Sequence, residues 1–343
     1  MKHEYANWSA RLVALALLLN VIPAFGAEPT APLKSAKELA DYLQTRIGVA
    51  FDIPTVFPSD VLTAEQRDGK AIVFKSGHNW DASGSVSWEW DPQDALPSEN
   101  KSWFSNISEV KPSRGCAEIL VAASGGGVAR VRLADSKLLF YGYAGGNTHS
   151  IAMLPDANIV SASSTGGYLC LFAVPLDSEE TGASGPTPVY KRYELKDAHG
   201  VVWDAKRSTL WALGGEELVG YSYEGTKTEP ELKEKLRVKL EGTAVNGHDL
   251  YPAPGYDALM TTGAGVNVFD PNGRKFYPVS KMRGVKSISL DANGTPLIQR
   301  AVTEWWSETI FFGDANDSPV GTCSGAKFYK ARWFTPNEFS EME

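Results

Sequence analysis

Three of the five histidines in the chain, His149, His199 and His248, stand 50 and 49 residues apart. Imidazoles titrate near neutral pH, so two or three that converge can supply a general base or bind a divalent ion such as Mn, Zn or Ni. Other residues in the same stretch extend that chemistry. Tyr168 can donate a proton, Lys286 and Arg300 can hold an anionic group, and the indole of Trp305 offers a sugar ring an apolar platform. His78 and Glu304 add polar groups to the substrate-binding set. The combination suits β-elimination from a uronic acid. A cation neutralises the carboxylate, a base (His149 or His199) removes the C5 proton, and an acid protonates the departing oxygen. No cofactor is required for this; a divalent metal, if one takes part, would sit on His149, His199 and His248.

These residues recur because the elements that carry them recur. From Thr148 to Val174 the chain reads as a histidine, a short apolar strand, a Pro-Asp-Ala-Asn turn, a β-branched strand, a Thr-Gly-Gly turn and a third apolar strand. Three strands with tight turns mark an up-and-down antiparallel sheet. The unit restarts at Ala198 and at Gly247, and a period of about 40 to 50 residues is that of propeller blades. The reading is an all-β, single-domain β-propeller over 61–343, with six clear blades. The N-terminal segment or the closing strand could add a seventh.

In chain order, residues 1–27 carry Lys2 and Arg11 before LVALALLLNVIPAFGA, the form of a secretory signal peptide. Residues 28–60 read as a linker and one short helix, N-capped by Ser35, with Leu39, Leu43 and Ile47 at helical spacing. AIVFKSG and SVSWEWDP, around GHNWDASG, are assigned as the middle strands of the first blade, and VKSISLDANGTPLIQRAVTEWWSETIFFGD, completed by AKFYKARWF, as the last. In a propeller the innermost strands start at the rim of the channel and the turns after the second strands return to it. This places four of the five histidines on one face. A repeated histidine can merely brace a turn, but that grouping favours a functional cluster. Of Trp305 and Trp306 one should be core, since neighbours on a strand face opposite sides. Trp88 and Trp90 share a face and read as core.

Composition narrows the partners. The chain has 343 residues, 43% of them hydrophobic, and a net charge of −8. No basic patch or basic amphipathic helix appears, which argues against nucleic acid and anionic membrane as partners. The expected partner is a uronic-acid-containing polysaccharide or oligosaccharide, met outside the cell by a monomer. Cys116, Cys170 and Cys323 allow at most one disulfide and lack zinc-site spacing. Asn106, Asn293 and Asn316 head glycosylation sequons, which matter only if a eukaryote secretes the protein. No GxSxG elbow is present, which speaks against a serine hydrolase.

THSIAMLPDANIVSASSTGG, AHGVVWDAKRSTLWALGG, GHDLYPAPG, VKSISLD and TEWWSETIFF, preceded by SWEWDP, together resemble a family of secreted β-propeller proteins related to the fungal L-rhamnose-α-1,4-D-glucuronate lyase that acts on gum arabic. The similarity spans roughly residues 70 to 335. It implies a propeller, of seven blades in that lyase, and removal of a capping rhamnose from glucuronate by elimination. The histidines of THS, AHG and GHD lie where such a site would sit. THS and LPDANIVS also look like arylsulfotransferase-type propellers, in which a histidine accepts sulfate, but the rest of that pattern is missing. The alternatives are a non-catalytic carbohydrate-binding or protein-interaction propeller and a metal-dependent hydrolase or lactonase.

Overall fold

In each repeat, runs of β-branched and aromatic residues separated by Gly, Asn and Asp turns fold into a four-stranded antiparallel sheet, and the computed structural model contains six of them among its described residues, 34–54 and 59–341. The leader at 1–27 lies outside those residues. Innermost strands Ile107–Ser113, Thr148–Met153, Gly200–Asp204, Asp249–Pro252 and Val285–Leu290 belong to blades two to six and pack side by side around the channel. The architecture is a six-bladed propeller, and no seventh sheet forms among the described residues. No helix among them is long and apolar enough to cross a membrane.

Blade one is closed by the two ends of the chain. Its sheet order is Phe328–Trp333, Val61–Glu65, Lys70–Phe74 and Val86–Trp90. The segment AKFYKARWF, expected to complete the last blade, is therefore the innermost strand of the first, and Pro319–Thr322 finishes blade six. Joining the two ends gives both inner edges a partner and removes an exposed ladder of unpaired backbone groups.

Packing between blades is apolar on both faces, which is why middle strands such as Glu118–Ala123 and Tyr168–Phe172 read as hydrophobic runs rather than as alternation. Trp90, Val73, Val110, Ile119 and Val121 join blades one and two; Leu120, Phe140, Ile151 and Phe172 join two and three. Each such side chain contributes roughly 1.5–3 kcal/mol when buried. Gly200 is required where blades four and five approach, since a Cβ there would lie 2.6 Å from that of Leu250. Trp90 is buried and Trp88 half-buried on the same face. The helix Ala36–Gln44 is capped by a Ser35–Glu38 box, and its Leu39 and Leu43, with Ile47 beyond, pack on Met260, Val268, Ile288 and Ile298 of blades five and six. All three cysteines are free thiols.

Part-way down the channel the fill changes from apolar to ionic. Lys330 Nζ lies 3.2 Å from Glu109 and 3.1 Å from Asp249, and Arg332 Nη2 lies 2.9 Å and 2.6 Å from the same two carboxylates. All four side chains are fully buried. Lys111 Nζ bonds Ser150 Oγ and the Val201 carbonyl at 2.9 and 2.8 Å, and burial pushes its pKa down to about 8. Burial opposes ionisation of Glu109 and Asp249, but the neighbouring Arg332 and Lys330 outweigh it, so both carboxyls titrate below their usual range. Removing one member of such a cluster leaves a buried charge uncompensated. Arg332→Met should therefore destabilise the protein by roughly 3–5 kcal/mol, read as a fall in the urea midpoint; a change under about 1 kcal/mol would contradict the ionic account.

Candidate active site at the mouth of the channel

One backbone device positions the site in four of the six blades. In blades two, three, six and one, a register shift falls between the first residues of the innermost strand, so that Ser108, His149, Lys286 and Tyr329 are each the extra, bulged residue. His199 and His248 hold the same place just ahead of Gly200 and Asp249, their N–H groups bonding the carbonyls of Leu213 and Thr262 at 2.8 Å. A bulge breaks the two-residue alternation and re-aims a side chain. Four bulged residues and two that precede unbulged strands thus stand at the rim of the channel, in the order Ser108, His149, His199, His248, Lys286, Tyr329.

Two residues ahead of five of these positions the backbone is left-handed, at Asn106 (φ 55°), Asn147 (60°), Asp197 (53°), Asn246 (60°) and Gly284 (74°). Asn, Asp and Gly are the residues that tolerate this conformation. The pattern Asn/Asp/Gly, any residue, rim residue is thus a sequence signature of the site.

The rings converge. His149 and His199 stack with centroids 4.8 Å apart, and His199 and His248 are 4.7 Å apart. The Tyr329 hydroxyl lies 3.2 Å from His149 Nδ1 and 3.1 Å from His248 Nε2, so it donates to one imidazole and accepts from the other. Lys286 Nζ sits 5.7 Å from the centre of the Tyr329 ring. His199 differs from the other two. Its Nδ1 faces two acceptors, the Asp197 carbonyl at 3.0 Å and the Asp197 carboxylate at 3.2 Å. Nδ1 must therefore carry the proton, which leaves Nε2 as a free lone pair.

Electrostatics separates the roles further. Burial, and then the neighbouring His199, hold His149 and His248 well below the ordinary imidazole value of 6.5, so both are neutral at neutral pH. Burial raises Tyr329 above the ordinary phenol value of 10.0, and it keeps its proton. Lys286 is pushed down by burial and by Lys330. The bond from His199 is the main cause that lowers the Asp197 carboxyl.

Two depressions flank the cluster. One, of 260 Å³, is lined by Asp197, His199, Asn246, His248 and Lys286. The other, of 250 Å³, is lined by Gln66, Asn106, Asn147, His149, Trp305 and Tyr329. A glycan on Asn106 would cover this second hollow. Two larger cavities, of 480 and 410 Å³, lie among the far ends of the innermost strands beside residues 335–341. They gather no imidazoles, and the chemistry favours the mouth over the larger volumes.

Of the residues singled out from sequence, His149, His199, His248, Lys286 and Trp305 come together here. Tyr168 does not: it opens the third strand of blade three, and its hydroxyl donates to the Ala144 carbonyl at 3.2 Å while Arg192 covers its ring. Arg300 pairs with Asp317 at 2.5 Å. Glu304 is exposed and lines neither depression. His78 is displaced for a topological reason. Because the closing strand is innermost, the strands around its loop are the third and fourth of blade one, and the loop joins them at the end away from the turn carrying Gln66. That loop instead packs on blade six through Trp80 and an Asp81–Ser324 bond. Trp305 is 47% exposed and bonds Gln66 Oε1 at 2.9 Å, whereas Trp306 turns the other way, half-buried under Lys327. The three imidazoles do not form a metal ligand set. Tyr329 occupies one nitrogen on each of two rings, Asp197 holds the third ring, and no group of three His, Cys, Asp or Glu among the described residues is arranged around an ion. Sequence reading missed Tyr329, Asp197 and Gln66.

Fold and site together define a six-bladed propeller with an imidazole, phenol and amine cluster at one mouth of its channel. The chain belongs to the family of unknown function DUF6528, matched over residues 42–343. No curated protein matches it in sequence. Among solved structures it is similar to Kuenenia stuttgartiensis hydrazine synthase, at 10% identity and a TM-score of 0.43 over 65% of this chain and 64% of that one. It therefore spans less than two thirds of the hydrazine synthase chain. It is also similar to a protein of unknown function from Bacteroides caccae, at 12% identity and a TM-score of 0.48 over 80% of this chain and 98% of that one.

The lowered imidazoles give stability a pH dependence. Below 6.5 the unfolded chain binds protons that folded His149 and His248 refuse, so stability falls with pH by up to about 1.4 kcal/mol per unit for each ring. Thermal unfolding should move to lower temperature between pH 7 and pH 5, and the slope should flatten in a His149→Asn, His248→Gln variant. An unchanged slope in that variant would rule the two rings out as its source.

Proposed function

We propose that the protein is a secreted carbohydrate-active lyase that breaks a glycosidic bond to C4 of a uronic acid, of the rhamnosyl-glucuronate type, by β-elimination. The observation that carries this is the fixed tautomer of His199 beside a protonated Tyr329 and the Lys286 amine. Lys286 pairs with the substrate carboxylate and makes the C5 proton more acidic. His199 Nε2 takes that proton, C4 and C5 become doubly bonded as the C4–O bond breaks, and the Tyr329 hydroxyl protonates the departing oxygen. The tyrosinate so formed is stabilised by the hydrogen bond from one imidazole and by Lys286, and the proton on His199 restores it through the cluster or water. His149 and His248, neutral and bonded to the same hydroxyl, hold the acid in place. Asp197 orients the base, as a carboxylate commonly does for a catalytic histidine.

The exposed indole of Trp305 and the open form of both depressions favour a second reading, a carbohydrate-binding propeller without turnover. Ultraviolet absorbance of the conjugated, unsaturated uronate separates the two when the protein is incubated with gum arabic and a panel of uronic-acid glycans. A rise is expected. His199→Ala and Tyr329→Phe should each slow it by roughly 10²–10⁴-fold while glycan binding is retained. A flat trace on every glycan would leave the binding reading in place of the lyase.

A further inference from the structure

We infer that the mouth is polar in the sense of substrate direction: the acidic sugar occupies the hollow lined by Lys286, and a neutral sugar, the leaving group, occupies the hollow lined by Trp305. The inference deepens the lyase reading and rests on it for the word "leaving", but the two unlike binding sites are argued from their own linings.

The first hollow holds the cation of the rim. Lys286 Nζ is half-buried, meets the Tyr329 ring face on, and stands over the channel layer in which Lys111, Lys330 and Arg332 outnumber Glu109 and Asp249. The half-exposed carboxylate lining it, Asp197, is held by His199 Nδ1, and no ion pair among the described residues engages Lys286. A ligand anion is thus the complement that this hollow lacks. The second hollow has no charged lining residue. Its groups are the Trp305 indole, the side-chain amides of Gln66, Asn106 and Asn147, the Ser124 hydroxyl, and His149 held neutral by burial. An exposed aromatic face with amides and hydroxyls around it suits an uncharged sugar, whose C–H face stacks while its hydroxyls bond the amides. At 260 and 250 Å³ each hollow is smaller than a pocket of about 300–1,000 Å³ that encloses a drug-sized molecule, and is matched to one ring.

The seam between the hollows agrees with the direction. His199, the base, lines the first; Tyr329, the acid, lines the second; and His149 and His199 stack across the boundary at 4.8 Å. A disaccharide lying across it presents its uronate C5–H to His199 and its bridging oxygen to Tyr329. The opposite direction would put the carboxylate among neutral amides and separate it from Lys286.

The test compares two probes that differ only in the carboxylate, methyl β-D-glucuronide and methyl β-D-glucoside, by NMR titration. The reporters are the imidazole C–H signals of His199 and His248 for the first hollow and the indole N–H of Trp305 for the second. The glucuronide should shift the histidine signals, and its affinity should fall about tenfold or more in Lys286→Met, recover in Lys286→Arg, and change less than about twofold in Trp305→Ala. The glucoside should shift the indole signal, lose binding in Trp305→Ala and ignore Lys286→Met. Both probes reporting at the same residues, equal sensitivity to both substitutions, or no binding of the glucuronide would each overturn the assignment. Since neither probe need be turned over, the expected pattern without elimination on any glycan would keep the two unlike hollows and discard the lyase.

Discussion

The closing strand, Phe328–Trp333, is the constraint on which the rest of the molecule depends. It completes blade one, brings Lys330 and Arg332 against Glu109 and Asp249, and delivers Tyr329 to the rim. Apolar packing alone would leave the register of this strand weakly specified, because its neighbours offer hydrophobic surface on both faces. A slip of one residue would turn Lys330 and Arg332 out of reach of both carboxylates and carry Tyr329 away from the histidines. Buried ion pairs often add little net stability compared with apolar residues of the same shape. Their worth here is the cost of every wrong register.

That same burial divides labour among three similar residues. His149 is buried, His248 half-buried, and both bond the Tyr329 hydroxyl, so they are its neutral hydrogen-bonding partners. His199, like His248, keeps some exposed surface, and what sets it apart is the Asp197 carbonyl and carboxylate at Nδ1, which place its lone pair on Nε2. Environments that push titratable groups apart are how one set of side chains runs acid and base chemistry together. Of His149 and His199, which sequence could not separate, the proposed elimination takes His199 as its base because its Nδ1 is held by Asp197.

The histidine spacing and three of the four strands per unit were legible because they repeat: a period of about 50 residues survives drift in individual positions. Tyr329 was not legible, since it lies in the one innermost strand that is far in sequence from the blade it joins. Assigning that strand to blade six shifted the reading of blade one by one strand, and the shift alone accounts for placing His78 at the mouth. Tyr168 was drawn in by a glycine-rich turn, yet it belongs to a third strand, two strand spacings of roughly 4.8 Å from the innermost. A sequence signal for most of the rim, though not for Tyr329 or Gln66, is the left-handed residue two places before a rim position. Asn106, Asn147, Asp197, Asn246 and Gly284 mark five rim positions, including Ser108 and Lys286, without any appeal to histidine.

A propeller presents near-identical backbone positions around an axis, and the six rim positions of this one carry unlike side chains on that common frame. Three adjacent blades supply imidazoles, the next an amine, the next a phenol, and the last the hydroxyl of Ser108, which is turned to the Thr148 carbonyl at 2.5 Å. Because strand pairing within each blade fixes the backbone, exchange of one rim residue alters the chemistry of one sector and leaves the neighbouring blades in register. Asp197 extends the logic: the carboxylate occurs at a turn position where Asp is already tolerated for its backbone, so His199 acquires its orienting partner without a separate structural element.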